Sequence, residues 1–279
     1  MSVESTRWSV MVDGVARRAL AQAEEQVAHA DRSGEVRVGL VSAVPLCEAL
    51  LDADVEGAKR EAVSLLDRVA SARESVGESG VRFADGRGHS RGLYGALLGR
   101  LVGLGLGHHP AEAGWPEVGG GGGAGGGDVS EVLWGQVNAE AVDGAVVDGV
   151  VGSPGKDGAL HHLGLDDLLD AWTYRELAGL HALDLLARRE GCDAWATAAA
   201  RVAVFHQVHT QPDYTTYQPW GLAAFASVAE TGWFAEQQLH DVETHLAVEG
   251  GPGAAVVALL LTDAALTLRG AAGQTEGDG

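Results

Sequence analysis

Along most of the chain apolar residues return every three or four positions, the spacing of helices that bury one face. Val15 to Ala30 sets charged side chains on one side and Ala, Leu and Val on the other, and is expected to form an amphipathic helix. The apolar run Val36 to Leu51 meets Pro45, which kinks it or starts a new helix, because proline has no N–H for an interior turn. Val55, Ala58, Ala62, Leu65, Leu66 and Val69 give the next helix, Val55 to Val76, which Gly77 and Gly80 close. Leu93 to Leu106 is apolar nearly all round and is expected to be buried. Val129 to Val142 fits a helix capped by Asp128 or Ser130, and the AVVDGVVG that follows fits either a short strand or a helix end. From Gly164 the helical pattern strengthens. It predicts helices over Asp166 to Arg189 and over Ala194 to His209, the latter capped by Asp193. Another starts at Pro219 and ends near Thr231 and Gly232, and Trp233 to Val248 and Ala254 to Leu268 follow.

The expected fold class is therefore all-α. Two polar loops feed apolar helices, Asp85 to Arg91 into Leu93–Leu106 and Thr210 to Gln218 into Trp220–Val228. That alternation predicts helical hairpins in inner and outer layers, with an irregular helical bundle as the alternative. The run GGGGGAGGG, Gly119 to Gly127, cannot hold a fixed backbone cheaply and reads as a linker or surface loop. The expected organisation is an N-terminal helical part, 1–109, a glycine-rich stretch, 110–127, a C-terminal helical part carrying the candidate site, 128–270, and a frayed tail, 271–279. No GK[ST] follows the glycines, so they are not a phosphate loop.

Composition narrows the partners. A net charge of −20 repels nucleic acid and anionic membrane surfaces alike. No stretch reaches the length of apolar residues needed to span a bilayer, and the N-terminus lacks a basic-then-apolar signal pattern. Cys47 and Cys192 lie too far apart for a CxxC site and are too few for a disulfide framework. A cytoplasmic protein is expected, with a small-molecule ligand as its candidate partner and no nucleic acid or membrane.

Candidate chemistry gathers between Phe205 and Phe225, FHQVHTQPDYTTYQPWGLAAF. His206 and His209 are three residues apart and share a helix face, with Asp213 in the loop that follows. Two histidines and a carboxylate, with His181 as a further ligand, can hold a divalent metal and leave positions open for substrate or water. The plainer reading has the histidines bonding to loop carbonyls and Asp213 capping a turn. Glu176 and Asp213 form a second candidate, a carboxylate pair in which a desolvated Glu176 donates a proton and Asp213 accepts one. Its plainer reading is a salt bridge from Glu176 to Arg175 or Arg201. Tyr214, Tyr217, Trp220 and Gln218 make a wall that is apolar on one side and hydrogen-bonding on the other, suited to a substrate. Asp166, Asp167 and Asp170 spell DDxxD, but no correctly spaced partner motif follows near Asp241 or Asp263. Asp85, Arg87, His89 and Arg91 read as a solvated turn, and the pairs His108–His109 and His161–His162 as surface.

The segments WTYRELAGLHAL and TQPDYTTYQPWGLAAF resemble inner-hairpin segments of α/α-toroid proteins, a superfamily that includes terpenoid cyclases, protein prenyltransferases and several carbohydrate-active enzymes. The resemblance covers residues 160–270 and implies an α/α-toroid-like arrangement. The chain has neither a DxDD motif nor a repeated QxxxGxW, so no catalytic residue of that superfamily has a counterpart here. Two functions stay open. One is a hydrolytic or metal-assisted enzyme on a polar substrate. The other is a non-catalytic helical scaffold in which the 205–225 loop is structural.

Overall fold

The protein is described from a computed structural model that covers residues 3–33, 43–73, 91–106, 129–152, 158–164, 169–210, 218–248 and 253–274. Among these residues there are eleven α-helices, one 3-10 turn and no strand. The helices are α1 Val3–Ser33, α2 Val44–Leu51, α3 Val55–Arg73, α4 Arg91–Leu106, α5 Val129–Val137 and α6 Gly144–Val151. They continue as α7 Leu169–Glu190, α8 Asp193–His209, α9 Leu222–Ser227, α10 Gly232–Val248 and α11 Ala254–Gln274. The all-α expectation holds. No helix among the described residues is long and apolar enough to cross a membrane.

Two helices form the interior. From Glu176 to Ala187 every residue of α7 is buried, and it packs against α5, α8 and α9. Helix α11 buries almost every side chain from Ala254 to Leu268 and meets α1, α2, α4 and α9. Among the described residues the contact between α1 and α11 is the most extensive. Trp8, Val12, Val15, Ala16, Ala19, Leu20 and Ala23 supply the apolar stripe of α1. Ion pairs tie α1 to its neighbours: Arg7 with Glu236 and Arg18 with Glu243 of α10, and Asp13 with Arg269 of α11 at 2.6 Å. Partly exposed pairs of this kind contribute roughly 0–1 kcal/mol each, so the apolar stripe supplies most of the stability of the seam.

Several boundaries differ from the sequence reading, each for a local reason. Helix α1 begins at Val3 and not Val15, because Trp8 and Val12 extend the buried stripe. Pro45 sits in the first turn of α2, where its missing N–H costs nothing, so it starts a helix and does not kink one. AVVDGVVG is helical. The Asp143 side chain accepts from the Ala145 and Val146 N–H groups at 3.0 and 3.4 Å, which caps α6. Cys192, not Asp193, is the N-cap of α8, and Asp193 lies in the first turn, where the helix dipole favours its charge. The helix expected from Pro219 starts only at Leu222, after Gly221 at φ +76°, and ends at Ser227. A 3-10 turn, Ala229–Thr231, then leads into α10, and Thr231 Oγ1 donates to the Phe225 carbonyl at 2.8 Å.

Gly191 and Gly221 both have the left-handed backbone that glycine adopts without strain. Gly191 ends α7 in a Schellman turn, with the Cys192 N–H on the Ala187 carbonyl at 3.0 Å. An alanine Cβ there would meet nothing within 4 Å, whereas at Gly221 it would lie 3.3 Å from Leu180 Cδ2 and from Phe225 Cε2. Gly191→Ala is therefore expected to cost about 1–2 kcal/mol from the backbone alone. Gly221→Ala adds roughly 1 kcal/mol of overpacking. Urea unfolding of the two variants side by side tests this, and equal losses would show that the packing at Gly221 is slack.

Candidate functional site

Glu176 is fully buried on α7 and all of its acceptor capacity is engaged. One oxygen accepts from the Leu160 N–H at 2.8 Å and from His206 Nε2 at 3.2 Å. The other accepts from the His161 N–H and from His161 Nδ1, the latter at 2.6 Å. An ionised carboxylate only accepts, so His161 carries a hydrogen on Nδ1 and His206 one on Nε2. The segment 158–164 thus folds back over α7 and is pinned there. Gly179 makes the approach possible, since a Cβ at that position would lie 3.0 Å from Leu160 Cδ1. On the far side of His206, Nδ1 meets Thr210 Oγ1 at 2.9 Å, and Phe205 and Trp172 cover the ring with centroids at 5.3 and 6.0 Å.

Burial alone would push the Glu176 carboxyl up. Hydrogen bonds from His161 and His206, and the positive charge those rings can carry, outweigh it and hold the group at about 2. At neutral pH it is an anion inside a cage of donors, not a proton donor.

His181 stands five residues along the same helix. At 3.6 residues per turn that is about 140° around the axis, which is why it does not meet Glu176. Its Nε2 lies 2.9 Å from Asp263 Oδ2 on α11. Arg100 of α4 brings its Nε to 2.5 Å from the other oxygen of Asp263, as a close ion pair whose N–H points off the line of contact. Asp263 and His181 have no exposed side-chain surface. Burial pushes the Asp263 carboxyl up, but the Arg100 charge and the His181 hydrogen bond hold it below its ordinary value. Trp134 and Trp220 pack on the His181 ring with centroids at 5.6 and 5.7 Å. Cys47 lies beside this centre. Burial first, then the Asp263 charge, push its thiol up to about 12 against the lowering effect of a Thr262 hydrogen bond, so it is no nucleophile.

The residues singled out from sequence therefore separate. Glu176 and His206 come together; His181 belongs to a different cluster; His209 is exposed, with its ring 4.8 Å from that of Phe205. Among the described residues there is no group of three His, Cys, Asp or Glu side chains placed to hold a metal ion. Trp220 is fully buried, its Nε1 donates to Gln218 Oε1 at 3.3 Å, and its carbonyl accepts from Gln238 at 3.1 Å. Asp213, Tyr214, Tyr217, Asp166 and Asp167 lie outside the described residues, as do residues 110–127; Asp170 is exposed. The expectation that Glu176 pairs with Arg175 or Arg201 gives way to the two histidines. His162 is at the surface as expected, but His161 is not, since Glu176 draws it in.

Asp263, Arg100 and His161 were missed as partners. A signal existed for the first two: each is a lone charge within a long apolar run, Leu93 to Leu106 or Ala254 to Leu268, and a buried charge must find a counter-charge. Comparison with protein-family models finds no match, and neither do comparisons with curated proteins and with solved structures.

The Glu176 cage gives stability a definite pH dependence. The folded carboxyl at about 2 lies below its ordinary 4.5, so its contribution is complete above 4.5 and is lost as pH falls towards 2. The shift corresponds to something on the order of 3 kcal/mol. Unfolding free energies between pH 3 and pH 7 for the native chain and Glu176→Gln are expected to differ most near neutrality and to converge in acid. Parallel curves would mean that the carboxylate charge is not what holds residues 158–164.

Proposed function

We propose that this chain is a non-catalytic helical scaffold, in which Glu176, His161 and His206 clasp residues 158–164 to α7 and α8. One observation carries the reading: the Glu176 carboxylate accepts from two backbone N–H groups and two imidazoles, and none of its surface is exposed. A carboxylate offers about four acceptor sites, and all are occupied. A general acid or base has to reach its substrate, and this group is turned wholly inward. The neutral, buried Cys47 thiol points the same way.

The remaining features fit such a role. An excess of negative charge keeps the chain soluble and away from nucleic acid. Cys47 and Cys192 are free thiols, which suits a cytoplasmic setting. Kinship with α/α-toroid proteins would concern helix pairing only and carry no chemistry with it.

Two measurements on the purified chain test this. Adding zinc, manganese or iron is expected to leave the melting temperature unchanged. The p-nitrophenyl esters of acetate and phosphate and the p-nitrophenyl glucoside are expected to hydrolyse no faster than in buffer. A metal that raises melting and is lost in His206→Ala overturns the proposal. So does a hydrolysis that disappears in Glu176→Gln while that variant stays folded.

A further inference from the structure

Where the end of α7 meets α4 and α11, a cavity of about 400 Å³ opens to the surface. Its apolar walls include Leu104, Leu186 and Leu266, and three arginines line it: Arg100, Arg188 and Arg189. Among the described residues no carboxylate lines it. In a chain with 39 acidic and 19 basic residues, that local reversal is the opposite of what composition alone would place there.

The arginines are held in place from behind. The Arg188 guanidinium bonds both Asp184 oxygens, at 2.9 and 3.1 Å, and also reaches Ser227. Arg189 donates to the carbonyls of Val137 and Gln136 at 2.7 and 3.0 Å and to Glu190 at 2.9 Å. Arg100 differs from both. Its Nε is turned inward onto Asp263, and its two terminal nitrogens make no bond to any described residue. The Arg100 side chain is 18% exposed and its Nε is the part fully buried, so the terminal N–H groups are the edge that meets the cavity. A half-desolvated guanidinium fork with free N–H groups matches an oxyanion in two parallel bonds.

We propose that this cavity binds a small amphiphilic oxyanion, a carboxylate or phosphate head on an apolar tail, with the head on Arg100 between Arg188 and Arg189 and the tail against Leu104, Leu186 and Leu266. The volume lies within the range of small-molecule sites, and apolar lining with a few fixed polar groups is their usual chemistry. The tail supplies apolar burial and Arg100 supplies orientation. An inorganic anion, with no tail, gains only the second. The site is separate from the Glu176 clasp and does not depend on the scaffold reading.

Gly270 gives a clean test. It lies on the rim of the cavity, a Cβ there meets nothing within 4 Å, and it sits inside α11, where most side chains are better helix formers than glycine. Gly270→Phe should fold as well as the native chain and fill the opening. Calorimetric titration of the native chain with decanoate and with decyl phosphate should show one site for at least one of them. Decanol should bind at least tenfold more weakly, and inorganic phosphate should give no heat. Gly270→Phe should abolish binding, and Arg100→Leu should weaken it at least tenfold wherever circular dichroism shows it folded. Decanoate binding without decyl phosphate would assign a carboxylate head, and the reverse a phosphate. The proposal is overturned if neither anion binds, if decanol binds as tightly as they do, or if Gly270→Phe binds like the native chain.

Discussion

A charge inside a protein has to be answered by another charge, and the Asp263 carboxylate is the point where this constraint shapes the molecule. It sits midway along α11, with apolar side chains buried on every side. Its partners are Arg100 from α4 and His181 from α7, so one side chain ties together three helices that lie far apart in sequence. Replacing such a triad as a whole by well-packed apolar residues often costs little, whereas removing one member leaves an unanswered charge and costs about 3–5 kcal/mol. Its value to the fold is therefore register more than stability. Apolar helices such as α4 and α11 can slide or rotate against each other at small cost, and the triad allows one alignment.

Glu176 answers the same constraint in another way. Its partners are two backbone N–H groups and two imidazoles, with no guanidinium among them. Where Asp263 sets helix against helix, Glu176 sets the irregular segment 158–164 against α7 and α8. That segment has few hydrogen bonds of its own to offer, and a buried backbone N–H left without an acceptor costs about as much as a lost hydrogen bond. Helix α7 carries the Glu176 and His181 sides of these two arrangements on faces set well apart. That geometry explains why a helix rich in polar residues is nevertheless buried for most of its length.

Aromatic rings close off both centres. Trp134 and Trp220 lie against His181, and Phe205 and Trp172 lie against His206. Rings pressed against a buried imidazole exclude water from the ion pair behind it and so strengthen it. The class of fold and most helices were legible because burial repeats with the helical period, as along Trp8, Val12, Val15 and Ala19. Pairing was not legible. Glu176 and His181 looked like members of one cluster because proximity along a helix says nothing about direction until angle is counted. His161 looked like surface because its neighbour His162 is at the surface, and only the carboxylate across from it draws it inward. Asp263 and Arg100 carried a readable sign, a lone charge in an apolar run, but the sign names no partner.

The two centres differ in what they leave over, and this bears on where a ligand can act. Glu176, on α7, is enclosed by donors from two segments, residues 158–164 and α8. Asp263 is equally buried, yet Arg100 reaches it from the side, so the guanidinium has one edge in the core and the other on a cavity that opens outward. A cation placed so is held in position by an interaction the fold requires, while its remaining donors face outward at no further cost in order. Any anion that engages those donors shares the guanidinium with Asp263, and through it touches α4, α7 and α11 together. The interaction that links α4, α7 and α11 in the core is thus the same one that holds the Arg100 guanidinium at the cavity.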